Sequence, residues 1–590
     1  MDVQPTASVK VDYDVPATMR DGVTLRANVY RPDDGGAGTY PVLMTRLPYG
    51  KDLPIGSSLL DPAQAARRGY IVVVQDVRGT FSSGGDWYPF KHERDDGLDS
   101  VAWAATLPGS TGEVGMFGAS YFGQTQWLAA RAPELRAMAP TITWADAEET
   151  AIRDGVLEWG VQASWLLQQG LGQVFRRHAN DPEALGKAVY GVVNAYDTLP
   201  THGYAALPLA EFGPLRALDL HHPLTDTIRA RDTGVFDGLP HGPQDYDNIA
   251  MPMLHIGGWY DIFLKGTIRN FTEMRQRGRP GQHLLIGPWT HGNFNPVIGD
   301  MYFGMASSGA LLDYQVDLMS LQLQFFDRWL KGQPGAFDRQ PPVKYFVMGA
   351  NIWRSSETWP PAGVTEQRWY LHSAGHANSA SGDGALSISQ PEAEPADHYV
   401  YDPMTPTPTV GGPTLMHGVY RAGPLDQAWV ERRDDVLVFS STPLERPVEV
   451  TGPVSVTLHV ATDAPDTDFI ARLVDVYPDG RAIPLTDGIT RMKYRNGVTA
   501  PAEPLRADQS YEITVDLWAT SVMFLPGHRI RLDVTSSSFP RWERNLNTGE
   551  SSATTTQARP ARQTILHDSD HPSHVSLMVA PQERIPTTGK

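Results

Sequence analysis

The run Tyr70-Ile71-Val72-Val73-Val74 has no polar face. Pro41-Val42-Leu43-Met44 before it is similar, and both must be covered on two sides. Runs this short and this apolar suit the buried strands of a mostly parallel sheet. Helical stretches lie between and after them: Leu60 to Arg68, Leu98 to Leu107 behind the acidic pair Asp95-Asp96, and a third from Ser120 through Trp127 to Arg131. Strand, helix, strand, helix is the α/β pattern. Ahead of it, Val9, Val11, Tyr13 and Val15 alternate, Asp21-Gly22 signals a turn, and Val23, Leu25, Ala27 and Val29 alternate again. That predicts an N-terminal hairpin.

With 590 residues the chain exceeds one hydrophobic core, so several domains are expected. From Trp144 to about Gln244 the periods become long and helical, as in Val156 to Gln169 and Pro182 to Tyr196. This reads as a helical cap inserted into the α/β core. Strand signals resume at Met253-Leu254-His255-Ile256 and Leu284-Leu285-Ile286, and a helix over Leu312 to Leu330 closes the core. From about Pro341 short alternating strands dominate, among them Val448-Val450, Val454 to Val460, Phe469 to Val476 and Ile530 to Val534. They predict an all-β domain, a sandwich or jelly roll. The expected division is core 1–144, cap 145–244, core 245–340 and β domain 341–590.

Composition excludes several functions. The net charge of -18 argues against nucleic acid or an anionic membrane as the main partner. There are no cysteines, so disulfides, thiolate nucleophiles and Cys-ligated metals are out. Met1 to Asp12 lacks the basic-then-apolar pattern of a signal peptide, and no run approaches the ~18 apolar residues of a membrane span. A cytoplasmic location is the expectation. Self-association is compatible with the sequence but not specified by it.

The chemistry centres on Glu113-Val114-Gly115-Met116-Phe117-Gly118-Ala119-Ser120-Tyr121-Phe122-Gly123. A strand meets a serine, and a helix follows. Such a turn projects a hydroxyl from the sheet edge, small neighbours let the chain turn, and the helix start offers free N–H groups to an oxyanion. Phe122 stands where the usual motif has its second glycine, and a plain Ser-Gly helix cap would read the same way. The acid and base of such a fold follow later strands in the order serine, acid, histidine. Asp261 ends Gly257-Gly258-Trp259-Tyr260-Asp261, and His291 follows Gly287-Pro288-Trp289-Thr290. Both sit just past strand ends, where active-site loops belong. His255 and His283 compete for the base role, but one lies inside a strand and the other at a strand's start.

Taken together and in order, these motifs resemble the CocE/NonD hydrolases, relatives of the X-Pro dipeptidyl-peptidases. Pro48-Tyr49, Asp76-Val77-Arg78-Gly79, Asp475-Val476-Tyr477-Pro478-Asp479-Gly480 and Ser536-Ser537-Ser538-Phe539-Pro540-Arg541 extend the likeness over nearly the whole chain. The resemblance implies an α/β-hydrolase core with a helical cap and a C-terminal jelly roll. It implies a serine esterase with the triad Ser120, Asp261 and His291, and an oxyanion hole formed by the Tyr49 hydroxyl and the Tyr121 N–H. It accommodates Phe122, since the family motif is Gly-x-Ser-Tyr-x-Gly. Trp165 and Phe263 match aromatic acyl-pocket residues. Gly411-Gly412-Pro413-Thr414-Leu415-Met416 resembles a loop that reaches the site, with Met416 in place of an aromatic. No metal or cofactor is implied.

Other features carry less. Asp76-Val77-Arg78-Gly79 reads as a structural ion-pair turn. His221-His222 invites a metal, but adjacent residues rarely aim at one ion and no acidic partner stands at useful spacing. Asp146, Glu148 and Glu149 read as a solvated acidic face at the cap entrance. Relatives that hydrolyse α-amino acid esters place carboxylates soon after the catalytic aspartate. Here Ile262-Phe263-Leu264-Lys265 follows, so a small neutral ester with an apolar or aromatic acyl group is the expected substrate. The alternatives are an X-Pro dipeptidyl-peptidase, an α-amino acid ester hydrolase, and a carbohydrate-binding protein acting through its β domain.

Overall fold

A computed structural model describes residues 8–146, 151–235 and 243–581. The predicted hairpin is β1 (Val9–Thr18) and β2 (Thr24–Pro32), paired antiparallel. The apolar runs become β3 (Tyr40–Leu47) and β4 (Ile71–Asp76), and β4 is buried along its whole length. Next come β5 (Ser110–Ala119) and β6 (Leu135–Thr141). The sheet has ten strands in the order β1-β2-β4-β3-β5-β6, then Met253–Tyr260, Gln282–Thr290, Val343–Val347 and Ile352–Ser356. Every neighbouring pair from β4 to Val343–Val347 is parallel. The C-terminal ends of these strands therefore share one edge, the edge at which such sheets bind ligands.

Three helices cross between the early strands. α1 (Pro62–Arg67) is capped by the Asp61 carboxylate, which accepts from the N–H groups of Ala63 and Gln64. α2 (Glu93–Ala105) starts earlier than its apolar spacing predicts, because Glu93, Asp95 and Asp96 form its first turn. Carboxylates there complement the helix dipole. α3 (Ser120–Ala129) begins at the candidate nucleophile.

Strand β6 carries little strand signature, with three alanines or prolines in its core and no alternation. Parallel pairing with β5 and with Met253–Tyr260 makes it a strand. The sheet also runs past residue 340. Val343–Val347 pairs with Gln282–Thr290, and Ile352–Ser356 completes the edge, so these strands belong to the core sheet rather than to the β domain. Alternation looks the same in both settings; only the partner strand decides.

The cap contains α4 (Trp159–Arg177) and α5 (Pro182–Asp197). Trp159, Leu166 and Leu167 of α4 pack with Leu199, Phe212 and Leu224 to form its core. The C-terminal part is all β, with Val448–Thr462 and Tyr511–Phe524 paired antiparallel at its centre. A buried charge cluster clips cap to β domain. Glu543 accepts from Arg231 of the cap helix His221–Thr233 and from Arg491 Nη1 at 2.6 Å, while Arg491 also pairs with Asp468 at 2.9 Å. Burial alone would push the Glu543 carboxyl up, but the two guanidinium groups outweigh it and hold it near about 2. No helix among the described residues is long and apolar enough to cross a membrane.

Candidate active site

Ser120 sits at the junction of β5 and α3 with φ 54°, a left-handed conformation unfavourable for serine. Strain of that kind clusters at functional turns. Glycine is required on both sides. A Cβ at Gly118 (φ 137°) would meet the Phe122 side chain at 2.3 Å, and one at Gly123 would meet Thr143 at 2.7 Å. The Thr143 hydroxyl donates to the Ser120 carbonyl at 2.8 Å, which ties the turn to the chain beyond β6.

Asp261 and His291 follow the ends of Met253–Tyr260 and Gln282–Thr290 directly. His291 Nδ1 lies 2.7 Å from Asp261 Oδ1, and Asp261 is fully buried. A carboxylate can only accept, so Nδ1 carries the proton and Nε2 keeps its lone pair. Phe263 packs edge-on against the His291 ring at 5.3 Å and lines one cavity with Ser120. The three residues predicted from sequence thus stand at the same edge of one sheet. The competing histidines are excluded by burial. His255 bonds Gln282, His283 packs against Phe325 and Phe337, and burial drives both down to about 4.

Tyr49 follows β3, and its hydroxyl accepts a hydrogen bond from Trp165 Nε1 at 3.1 Å. That leaves the phenolic proton free to donate. Burial pushes this phenol up to about 12, only partly opposed by the Trp165 bond, so it stays protonated at neutral pH. The Tyr121 N–H lies in the first turn of α3, where backbone donors lack helical partners. Its phenol does other work, donating to Glu93 at 2.9 Å.

The cavity is walled by aromatic rings. Trp165, Phe263 and Leu415, all predicted from sequence, line it. Phe90 stacks on Tyr121 at 4.3 Å, and Trp144 stacks on Phe263 at 4.0 Å; both line the cavity and were missed by sequence reasoning. Met416 does not line it. It packs into the cap core and faces Gly160, because the loop bends at Met416 and turns its side chain away from that of Leu415.

The minor motifs resolve similarly. Arg78 forms a two-pronged pair with Asp96 (2.6 and 2.8 Å), and the Asp76 carboxylate accepts the Lys51 N–H at 2.7 Å, a structural turn. Asp146 is no solvated face; it is buried and pairs with Arg269 at 3.1 Å. Glu148 and Glu149 lie outside the described residues. His221 and His222 do have an acidic neighbour, since Asp219 turns back with φ 57° and brings its carboxylate within 4.8 Å of both.

A fully buried acid on a histidine and a strained serine, all at strand ends of one mostly parallel sheet, form the arrangement that serine hydrolases of the α/β-hydrolase scaffold carry. The chain matches the family model described as X-Pro dipeptidyl-peptidase (S15 family) over residues 21–293 and that of the X-Pro dipeptidyl-peptidase C-terminal non-catalytic domain over 335–576. It is 37% identical to the cocaine esterase of Rhodococcus sp. (strain MB1 Bresler), covering 96% of this chain and 98% of that one. The chain belongs to this family, the CocE/NonD hydrolases among the S15 relatives, and is a serine ester hydrolase. Solved structures share the fold across both parts. An α-amino acid ester hydrolase gives a TM-score of 0.79 at 24% identity over 98% of each chain. A CocE/NonD family hydrolase from Staphylococcus aureus gives 0.67 at 19% identity, over 97% of this chain and 94% of that one.

Proposed function

We propose that this enzyme hydrolyses carboxylic esters with an aromatic or apolar acyl group, through an acyl-enzyme on Ser120. The 2.7 Å contact of His291 with buried Asp261, beside the cavity that holds Ser120, carries the reading. His291 Nε2 takes the Ser120 proton as the hydroxyl attacks the acyl carbon. Asp261 holds the imidazole tautomer and stabilises the imidazolium. The Tyr49 hydroxyl and the Tyr121 N–H stabilise the developing oxyanion. His291 returns its proton to the leaving alkoxide, then activates water to cleave the acyl-enzyme. The β domain, beginning after Ser356, folds as a jelly roll in this reading and contributes Leu415 to the acyl wall.

Tyr49→Phe removes a donor used mainly in the transition state. Its kcat should fall about 10²–10³-fold, roughly 2.7–4 kcal/mol, with KM little changed. Steady-state rates on a p-nitrophenyl ester decide this, and an unchanged kcat places the donor elsewhere.

The acyl preference follows from the lining. No carboxylate lines the cavity among the described residues. Asp146 is committed to Arg269, and Lys265, the first charge after Asp261, pairs with Asp516 at 2.9 Å. An α-amino acyl group would bury its ammonium against Phe263 without a counter-charge, at a cost of several kcal/mol by order of magnitude, roughly ~3 or more. A benzoyl ester should therefore exceed a phenylglycine ester by at least ~10²-fold in kcat/KM at neutral pH. A preference for the amino ester refutes this acyl assignment.

A further inference from the structure

The polar side chains that line the cavity are almost all spoken for. Tyr49 receives the Trp165 indole, Tyr121 donates to Glu93, Tyr88 donates to Asp226, and Thr227 donates to the Pro223 carbonyl. Ser120 is the nucleophile. Gln162 is the exception. It lines the cavity from α4 and is 8% exposed, yet among the described residues its side-chain amide has no hydrogen-bond partner. Its backbone N–H is bonded to the Glu158 carbonyl and its carbonyl lies inside α4, so the side-chain amide alone is without a protein partner. A primary amide brings two donors and two lone pairs, and a buried one is normally paired. A ligand that pairs it gains what the free enzyme lacks.

The position of the amide narrows the ligand. Gln162 stands one helical turn before Trp165, whose indole reaches the Tyr49 hydroxyl. Three residues of helix, ~4.5 Å of rise, separate its backbone from that of Trp165, so both side chains leave the same face of α4. The same cavity is lined by the rings of Phe90, Trp144, Trp165 and Phe263, which accept a flat aromatic group. A phenolic hydroxyl both donates and accepts, which matches an amide that offers both.

Building on the esterase reading above, we propose that Gln162 is a specificity residue for esters of hydroxylated aromatic acids, pairing the ring hydroxyl. An acyl group lacking that hydroxyl displaces water from the amide and leaves it unpaired.

The test compares p-nitrophenyl esters of 3- and 4-hydroxybenzoic acid with the 3- and 4-methylbenzoic esters, which match them in shape. Each kcat/KM is divided by the hydroxide-catalysed rate to remove intrinsic reactivity. Wild type should favour hydroxyl over methyl by ~10-fold or more for at least one ring position. Gln162→Leu should collapse or reverse that ratio, and Gln162→Met reads the same ratio if the leucine variant does not fold. A ratio near unity in wild type, or one unchanged in a folded variant, overturns the assignment. If wild type cleaves none of these esters but Ser120 is labelled by a fluorophosphonate, the Gln162 assignment falls and the hydrolase reading stands. Absence of labelling brings down both.

Discussion

Ser120→Ala should lower kcat by about 10⁴–10⁶-fold and leave the folded state intact. The rate argument rests on the covalent step. Without Oγ there is no acyl-enzyme, and only the oxyanion donors and the cavity remain to assist direct attack by water. The stability argument rests on the backbone. Serine and alanine both carry a Cβ, so the φ of 54° is equally strained in each. The fixtures of the turn, Gly118, Gly123 and the Thr143 bond to the Ser120 carbonyl, do not involve the hydroxyl. Initial rates on a p-nitrophenyl ester, with a thermal melt beside them, provide the measurement. Substantial turnover in a folded alanine variant is incompatible with Ser120 as nucleophile.

Glu543→Gln should have the largest effect on stability, about 3–5 kcal/mol at pH 7. The carboxylate receives Arg231, Arg491, the Ser552 hydroxyl and the Leu157 N–H. Glutamine keeps the shape but removes the charge that two buried guanidinium groups face. Arg491 retains Asp468 and Arg231 retains Asp232, each at 2.8–2.9 Å, so the loss is partial. The pH dependence gives a second signature. The folded-state carboxyl is depressed from 4.5 to about 2, so its contribution is full above pH 4.5 and fades as pH falls through about 2. Chemical denaturation of wild type should lose this increment across that window, and the variant should lack the increment throughout. Equal stability of the two proteins at pH 7 rejects this role for the cluster.

The proposed triad stands out in the sequence because its members follow strand ends, and strand ends are marked. Two glycines precede Asp261 by a few residues, and Gly-Pro precedes His291. Order along the chain then assigned the roles. The hydrolase core was legible for a related reason, since buried parallel strands leave uninterrupted apolar runs. The walls of the cavity were not. Phe90 reaches the site from a loop with φ 63°, Trp144 from the segment after β6, and Gln162 from α4. No short-range spacing links them, because they meet only through the tertiary packing. Met416 shows the opposite failure. Its loop reaches the site, but a bend at Met416 leaves Leu415 in the cavity and sends Met416 into the cap.

Leu415 also has a temporal meaning. The chain is made from its N-terminus, and His291, last of the three reacting groups, leaves the ribosome long before Leu415 or Glu543. A nascent chain of that length holds the proposed triad and the rings of Phe90, Trp144, Trp165 and Phe263, but not Leu415 or the clip that seats the cap. The last piece of the acyl wall is thus acquired well after the proposed reacting groups. In the finished enzyme Leu415 closes a cavity whose other walls come from the first half of the chain.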